Sequence, residues 1–260
     1  MKRFTISTLG LMLLACALSY ADPSADAIAR ASFDLPEAST MRSTAYMLLV
    51  DRNGSQNLRV LSMYSRKSRD GTDSYAEFLS PADVRGTKFL TLAEPGGEST
   101  QRLWLPELMK VRRIASADKG SKFLGSDLTY YDMGRHKFGD YTYARLGEAT
   151  TEVVEAGVKR SVACWVMECS ATDSSVPYSR MRMWIGKEDS FVYRSTMWNS
   201  KGEEEKTIYI LEVEKRQGII LPIKTAVTAV DGHKTLLQMS KVELNKPIDP
   251  RIFTVQNLEQ

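Results

Sequence analysis

Pro81-Ala82-Asp83-Val84-Arg85-Gly86-Thr87-Lys88-Phe89-Leu90 opens a stretch that closes at Tyr131-Asp132. Between them lie Leu103-Trp104-Leu105-Pro106-Glu107-Leu108, then Lys110-Val111-Arg112-Arg113-Ile114, then Phe123-Leu124-Gly125-Ser126-Asp127. Lys88 to Ala93 reads as a strand and Pro95-Gly96-Gly97 as its turn, with Gln101 to Leu105 as the next strand. Pro106 to Met109 and Gly125 to Met133 are helical candidates. Gly86 and Gly125 suit tight backbone turns, because glycine reaches positive φ without steric cost.

Outward from this stretch the chain is punctuated like an antiparallel sheet. Upstream, Ala25 to Phe33 reads as a helix: Ser24 is a fitting N-cap, Asp26 suits the first turn, and Pro36 stops it. Met41 to Val50 and Asn57 to Ser65 flank Asn53-Gly54, a hairpin signal. Asp70-Gly71 turns into Ser74 to Leu79. Downstream come Tyr141 to Leu146, Ser161 to Ala171, Arg180 to Ile185, Phe191 to Asn199, Thr207 to Lys215, Lys224 to Val230 and Lys234 to Leu244. Met181, Met183 and Ile185 share one strand face against Arg180 and Arg182, so one side of the sheet must be covered. Lys201 to Lys206 reads as a charged hairpin tip. No repeat, low-complexity tract or linker interrupts the series.

The order of the residues from Pro81 to Asp132 resembles the LolA-like family of bacterial outer-membrane lipoprotein-sorting proteins. The motif covers about 50 residues, and the strands that follow fit the remainder. The resemblance implies a mainly β (α+β) fold. A single strongly curved antiparallel sheet would form a half-open β-barrel, with a few helices as lid or plug over an apolar cavity. It also implies that the cavity receives acyl chains.

The amino terminus reads as an export signal. Met1-Lys2-Arg3 is basic, Phe4 to Leu18 is mostly apolar, and Ser19-Tyr20-Ala21 carries small residues where signal peptidase cuts. Residues 1–21 are then a signal peptide and 22–260 the LolA-like domain. A second reading takes Leu13-Leu14-Ala15-Cys16 as a lipobox, with residues 1–15 removed and Cys16 lipidated, which would anchor the chain to a membrane. Both readings put the protein in the periplasm.

Cys164 and Cys169 lie in one expected strand, on opposite faces and ~17 Å apart at ~3.3 Å per residue. A disulfide needs Cα atoms within about 7 Å, so the two cannot pair with each other. The formal net charge is +3 and the pI about 8.6, with acids and bases interspersed. That pattern argues against a nucleic-acid partner.

Twelve Met and four Trp make an adaptable, polarisable inventory,. Given the resemblance, Trp104, Met109, Met183 and Trp184 are the expected acyl contacts, although the same residues suit a packed core. Arg85, Arg112 and Arg113 either hold anionic head groups or, with Asp127 and Asp132, lock loops onto the sheet. Asp127, Asp132, His136 and Asp140 cluster in sequence, yet their spacing matches no metal loop, nucleophile elbow or phosphate loop. No catalytic residue, metal or cofactor is expected, and a metal-dependent hydrolase is the weakest reading. The leading expectation is a periplasmic carrier or acceptor that binds acyl chains of lipoproteins or other envelope lipids and passes them toward the outer membrane. Its partners would be the cargo, an inner-membrane exporter of the RND or ABC type and an outer-membrane acceptor. The alternative is an envelope-stress sensor of the same fold.

Overall fold

The Ser24 hydroxyl accepts a hydrogen bond from the Ala27 amide at 3.2 Å and starts the first helix, α1, Ala25–Phe33. Asp26 sits in its positive first turn, and Ile28 and Ala29 are its buried side,. The structure is a computed structural model that describes residues 22–134 and 136–260. The expected signal peptide and Cys16 lie outside the described residues.

Thirteen strands follow: β1 Thr40–Val50, β2 Gln56–Lys67, β3 Thr72–Ser80, β4 Lys88–Ala93, β5 Ser99–Leu105, β6 Lys110–Ile114 and β7 Tyr141–Glu155. Then come β8 Val158–Ala171, β9 Arg180–Gly186, β10 Val192–Trp198, β11 Glu204–Arg216, β12 Ile219–Ala229 and β13 Lys234–Leu244, with a short helix α2, Val255–Leu258, at the end. They form one curved sheet in the order β10-β9-β8-β7-β11-β12-β13-β1-β2-β3-β4-β5-β6. All pairings are antiparallel except a short parallel contact in which Glu212 and Val213 face Val154 and Glu155. β10 also pairs with β11, so the β7 to β10 meander leaves and rejoins one edge of that strand.

Side chains of alternate parity define an inner face. Ala45, Leu61 and Phe78 stand in register across β1, β2 and β3, and Met63, Ala76, Phe89 and Leu103 stand beside them. The loop from Ala115 to Gly134 folds over this face. Phe123 is wholly buried, with ring centroids 5.0 Å from Phe89 and 5.6 Å from Tyr130. Beside it, α1 packs on β7, β8 and β9, where Ile28 joins a cluster with Met167, Met181 and Met183.

The outer face of β3 to β5 is apolar as well, and the carboxy terminus covers it. Tyr75, Leu90 and the half-buried Trp104 pack against Phe253 and Leu258, and Lys88 donates to the Asn257 carbonyl at 3.2 Å.

Four local expectations change. Gly125 to Met133 forms consecutive turns and no helix, because Leu124 and Gly125 adopt positive φ of 48° and 80°. Pro106 to Met109 yields a single 3-10 turn, Pro106–Leu108. β7 runs nine residues past Leu146, through a bulge between Arg145 and Gly147 that re-aims its side chains,. β12 begins at Ile219 despite Pro222, which sits at a register shift opposite Val213 where no regular ladder bond is needed,.

Candidate functional site

The Leu35-Pro36 pair ends α1 and carries the chain across the inner face to β1. This crossing leaves a cavity of about 750 Å³. Its apolar wall includes Phe33, Leu35, Met41, Ile220, Leu221 and Met239, and Met133 and Gly134 of the inner loop bound it. Ser65, Ser74 and Thr91 also line it. These three stand side by side, since Met41 pairs with Ser65, Ser65 with Ser74, Ser74 with Thr91, and Thr91 with Gln101. A transverse row of small hydroxyls therefore crosses a largely apolar wall. Thr72 donates to Glu37 at 2.7 Å and ties the α1–β1 crossing to the sheet. Asp189 and Lys215 are the charged groups on the far side, with Lys215 Nζ 3.4 Å from Glu155 and 3.9 Å from Asp189.

The loop that bounds the cavity is held by buried charge. Lys206 Nζ lies 2.5 Å from Asp132 Oδ2 and donates to the Asp127 carbonyl at 2.8 Å. Tyr178 donates to Asp132 Oδ1 at 2.9 Å, and the Thr129 amide and hydroxyl donate to Asp132 Oδ2. Asp127 accepts from the Thr235 hydroxyl at 2.8 Å and from Lys122 at 3.3 Å. Arg59 donates to the Leu124 carbonyl. Burial pushes the Tyr178 and Tyr131 hydroxyls well above the usual phenol range, so both stay protonated donors,.

The side-chain partners of Asp127 are Lys122 and Thr235, and not an arginine of the motif. Arg112 pairs with Asp118 at 3.0 Å, Arg85 donates to the Leu79 carbonyl at 3.2 Å, and Arg113 is exposed on β6. Lys206, read as part of a charged tip, is 1% exposed. Its parity, shared with Ile208 and Ile210 on β11, was the signal for an inward side chain.

None of the four expected acyl contacts lines the cavity. Trp104 faces outward under the carboxy-terminal segment. Met109 is 79% exposed at the tip of the β5–β6 hairpin, at φ 45°. Met183 is buried beneath α1. Trp184 is half-buried, with the Arg194 guanidinium 4.1 Å from its ring centre. The cavity wall instead comes from segments distant in sequence, which no local motif joins.

The carboxylates and histidine near the motif do not converge. Asp127 and Asp132 bond as above, Asp140 accepts from Tyr131 and from the Lys137 amide, and the His136 ring stacks on Tyr131 at 4.4 Å. Burial lowers the His136 pKa and favours the neutral ring,. Among the described residues, no three His, Cys, Asp or Glu side chains gather as a metal site requires. Among them, too, no helix is long and apolar enough to cross a membrane.

Solved structures match this arrangement over most of the chain. An outer-membrane lipoprotein-sorting protein domain from Vibrio parahaemolyticus superposes with a TM-score of 0.81 at 23% identity, covering 91% of this chain and 98% of that one. A DUF1329 family protein from Desulfovibrio piger gives a TM-score of 0.80 at 24% identity, covering 90% and 97%. A LolA superfamily protein from Nitrosomonas europaea gives 0.68 at 17% identity, covering 91% and 100%. At such identities the likeness establishes the fold. No curated protein sequence matches the chain. A family model described as "uncharacterized protein" matches residues 70–260. The chain belongs to that family, and its sheet is the LolA-type fold.

Proposed function

We propose that this protein is a non-enzymatic carrier or acceptor in the bacterial envelope. It shelters acyl chains of lipoproteins or other envelope lipids and passes them toward the outer membrane. The observation that carries this reading is the cavity of about 750 Å³ on the inner face, walled largely by apolar side chains. That volume suits a ligand of lipid or drug size. Each methylene moved from water into it contributes about 0.8 kcal/mol. A dozen methylenes supply roughly 10 kcal/mol before the costs of ordering and association are subtracted. Transfer then needs only a partner that holds the same cargo more tightly.

On this reading the protein works in the periplasm, delivered by residues 1–21 as a signal peptide or held at a membrane through Cys16. It takes cargo from an inner-membrane exporter of the RND or ABC type and yields it to an outer-membrane acceptor. Met109 meets cargo or a membrane surface outside the cavity. Trp104, Met183 and Trp184 act through the packing behind its walls.

The test is titration of the purified protein with a fluorescent fatty acid, followed by displacement with a diacyl lipid or lipopeptide. Protein recovered from its own envelope is then examined by native mass spectrometry. Saturable binding with extractable lipid supports the carrier. No binding and no lipid, with a stoichiometric protein partner in their place, transfers the reading to an envelope-stress regulator.

A further inference from the structure

The row Met41–Ser65–Ser74–Thr91 does not stop at the cavity wall. Its next member is Gln101, the cross-strand partner of Thr91 on β5. Gln101 lines a second pocket of about 220 Å³, whose walls include Ser99, Ser116, Lys119 and Lys137. Gly134 lines both spaces and is the thin partition between them. A Cβ added at Gly134 would stand 3.2 Å from Gln101 Nε2, so this partition leaves little room for a side chain.

Thr91 and Gln101 are 3% and 1% exposed. Thr91 Oγ1 and Gln101 Oε1 have no hydrogen-bond partner in the protein. The Gln101 amide is not ambiguous, because its nitrogen donates to the Tyr130 carbonyl at 2.8 Å and a carbonyl can only accept,. Oε1 is therefore a fixed acceptor. An isolated buried polar atom is costly, and these two sit on cross-strand neighbours, one lining each space,. Directly opposed residues on one sheet face hold their Cβ atoms about 5 Å apart. A single hydroxyl can satisfy both, donating to Gln101 Oε1 and accepting from Thr91 Oγ1.

We propose that the apolar cavity and the polar pocket are two compartments of one site, whose cargo is an acyl chain bearing a hydroxyl group that bonds to Thr91 and Gln101. This rests on the carrier reading and narrows its cargo. The hydrocarbon lies against Met41, Ile220 and Met239, while the hydroxyl meets the polar row where it passes Gly134.

The full chain is loaded with a fluorescent fatty acid and titrated with myristate, β-hydroxymyristate and ω-hydroxymyristate, the two hydroxy acids placing the group at either end of the chain. One of them displaces the probe about tenfold better than myristate, as expected for two added neutral hydrogen bonds. In Thr91→Val, which keeps the shape and removes the hydroxyl, that preference is lost; in Thr91→Ser it returns. Equal displacement by all three acids on the wild-type protein overturns this inference and leaves the carrier standing. A preference that survives Thr91→Val also overturns it. A probe that never binds removes the carrier reading itself. Should Thr91→Val fail to fold, the wild-type comparison decides alone.

Discussion

The Lys206 ammonium lies 2.5 Å from the Asp132 carboxylate, and these side chains are 1% and 4% exposed. The pair joins β11 to the loop that walls the cavity. Taking one partner away leaves a buried charge uncompensated, at a cost of about 3–5 kcal/mol. Lys206→Met and Asp132→Leu are each expected to lower the unfolding free energy by that amount, read as a lower urea midpoint at unchanged slope. The double variant recovers much of the loss, since a neutral pair of similar volume has no desolvation penalty. Equilibrium unfolding of the four proteins checks this. Additive losses would show that the two side chains do not act as a pair.

How far the sequence reached depends on whether the signal was local. The bounds of α1 and of β4 and β13 follow from capping, turn residues and alternation, all readable within a dozen positions. The Gly125 to Met133 segment misled because its apolar spacing suits a helix, while Leu124, Gly125 and the side chains of Asp127 and Asp132 impose turns. The cavity was hidden for a different reason. Phe33, Ser74, Ile220 and Met239 meet only through the closure of the sheet. Trp104 has the bulk of a ligand contact, but its even parity on β5 turns it away from Leu103 and onto the outer face.

Charge placed on the cavity wall should separate binding from folding. Met239 is half-buried and lines the cavity. Met239→Asp is expected to fold and to weaken fatty-acid binding at least tenfold, because an apolar chain must then desolvate a carboxylate. Met183 is 5% exposed in the cluster beneath α1. Met183→Asp is expected to unfold the protein, by several kcal/mol of unpaired buried charge. Circular dichroism and probe titration on both variants distinguish the outcomes. Wild-type affinity in a folded Met239→Asp would show that the acyl chain lies elsewhere.

Cys164 and Cys169 are both buried and free. Burial pushes the Cys164 thiol up to about 11 and the Cys169 thiol to about 12. The thiolate is the reactive form, so at about pH 8 both carry little of it and neither is exposed. Native protein is expected to resist alkylation at these two positions for hours, and denatured protein to react at both at once. Peptide mapping after a pulse of iodoacetamide reads the result. A disulfide mapped to this pair, or fast native labelling of either thiol, would contradict the packing described.

The carboxy-terminal segment is expected to act as a structural strap. Phe253 is 3% exposed against Tyr75 and Leu90, with the Arg66 guanidinium 4.6 Å from its ring centre. Arg66 is itself held by Asp73 at 2.9 Å. Phe253→Ala removes a buried aromatic ring and leaves a space that β-strands cannot collapse around, at about 3–5 kcal/mol. Phe253→Leu keeps most of the apolar area and should lose less than half as much. Deleting residues 248–260 uncovers Tyr75, Leu90 and Trp104 together, a continuous apolar patch on a sheet face,. The shortened chain is expected to bind a hydrophobic dye and to aggregate on concentration. Thermal unfolding and light scattering across the three variants check this order. A truncated protein that stays monomeric with wild-type stability would mean that the strap is dispensable, and that the outer face of β3 to β5 tolerates water.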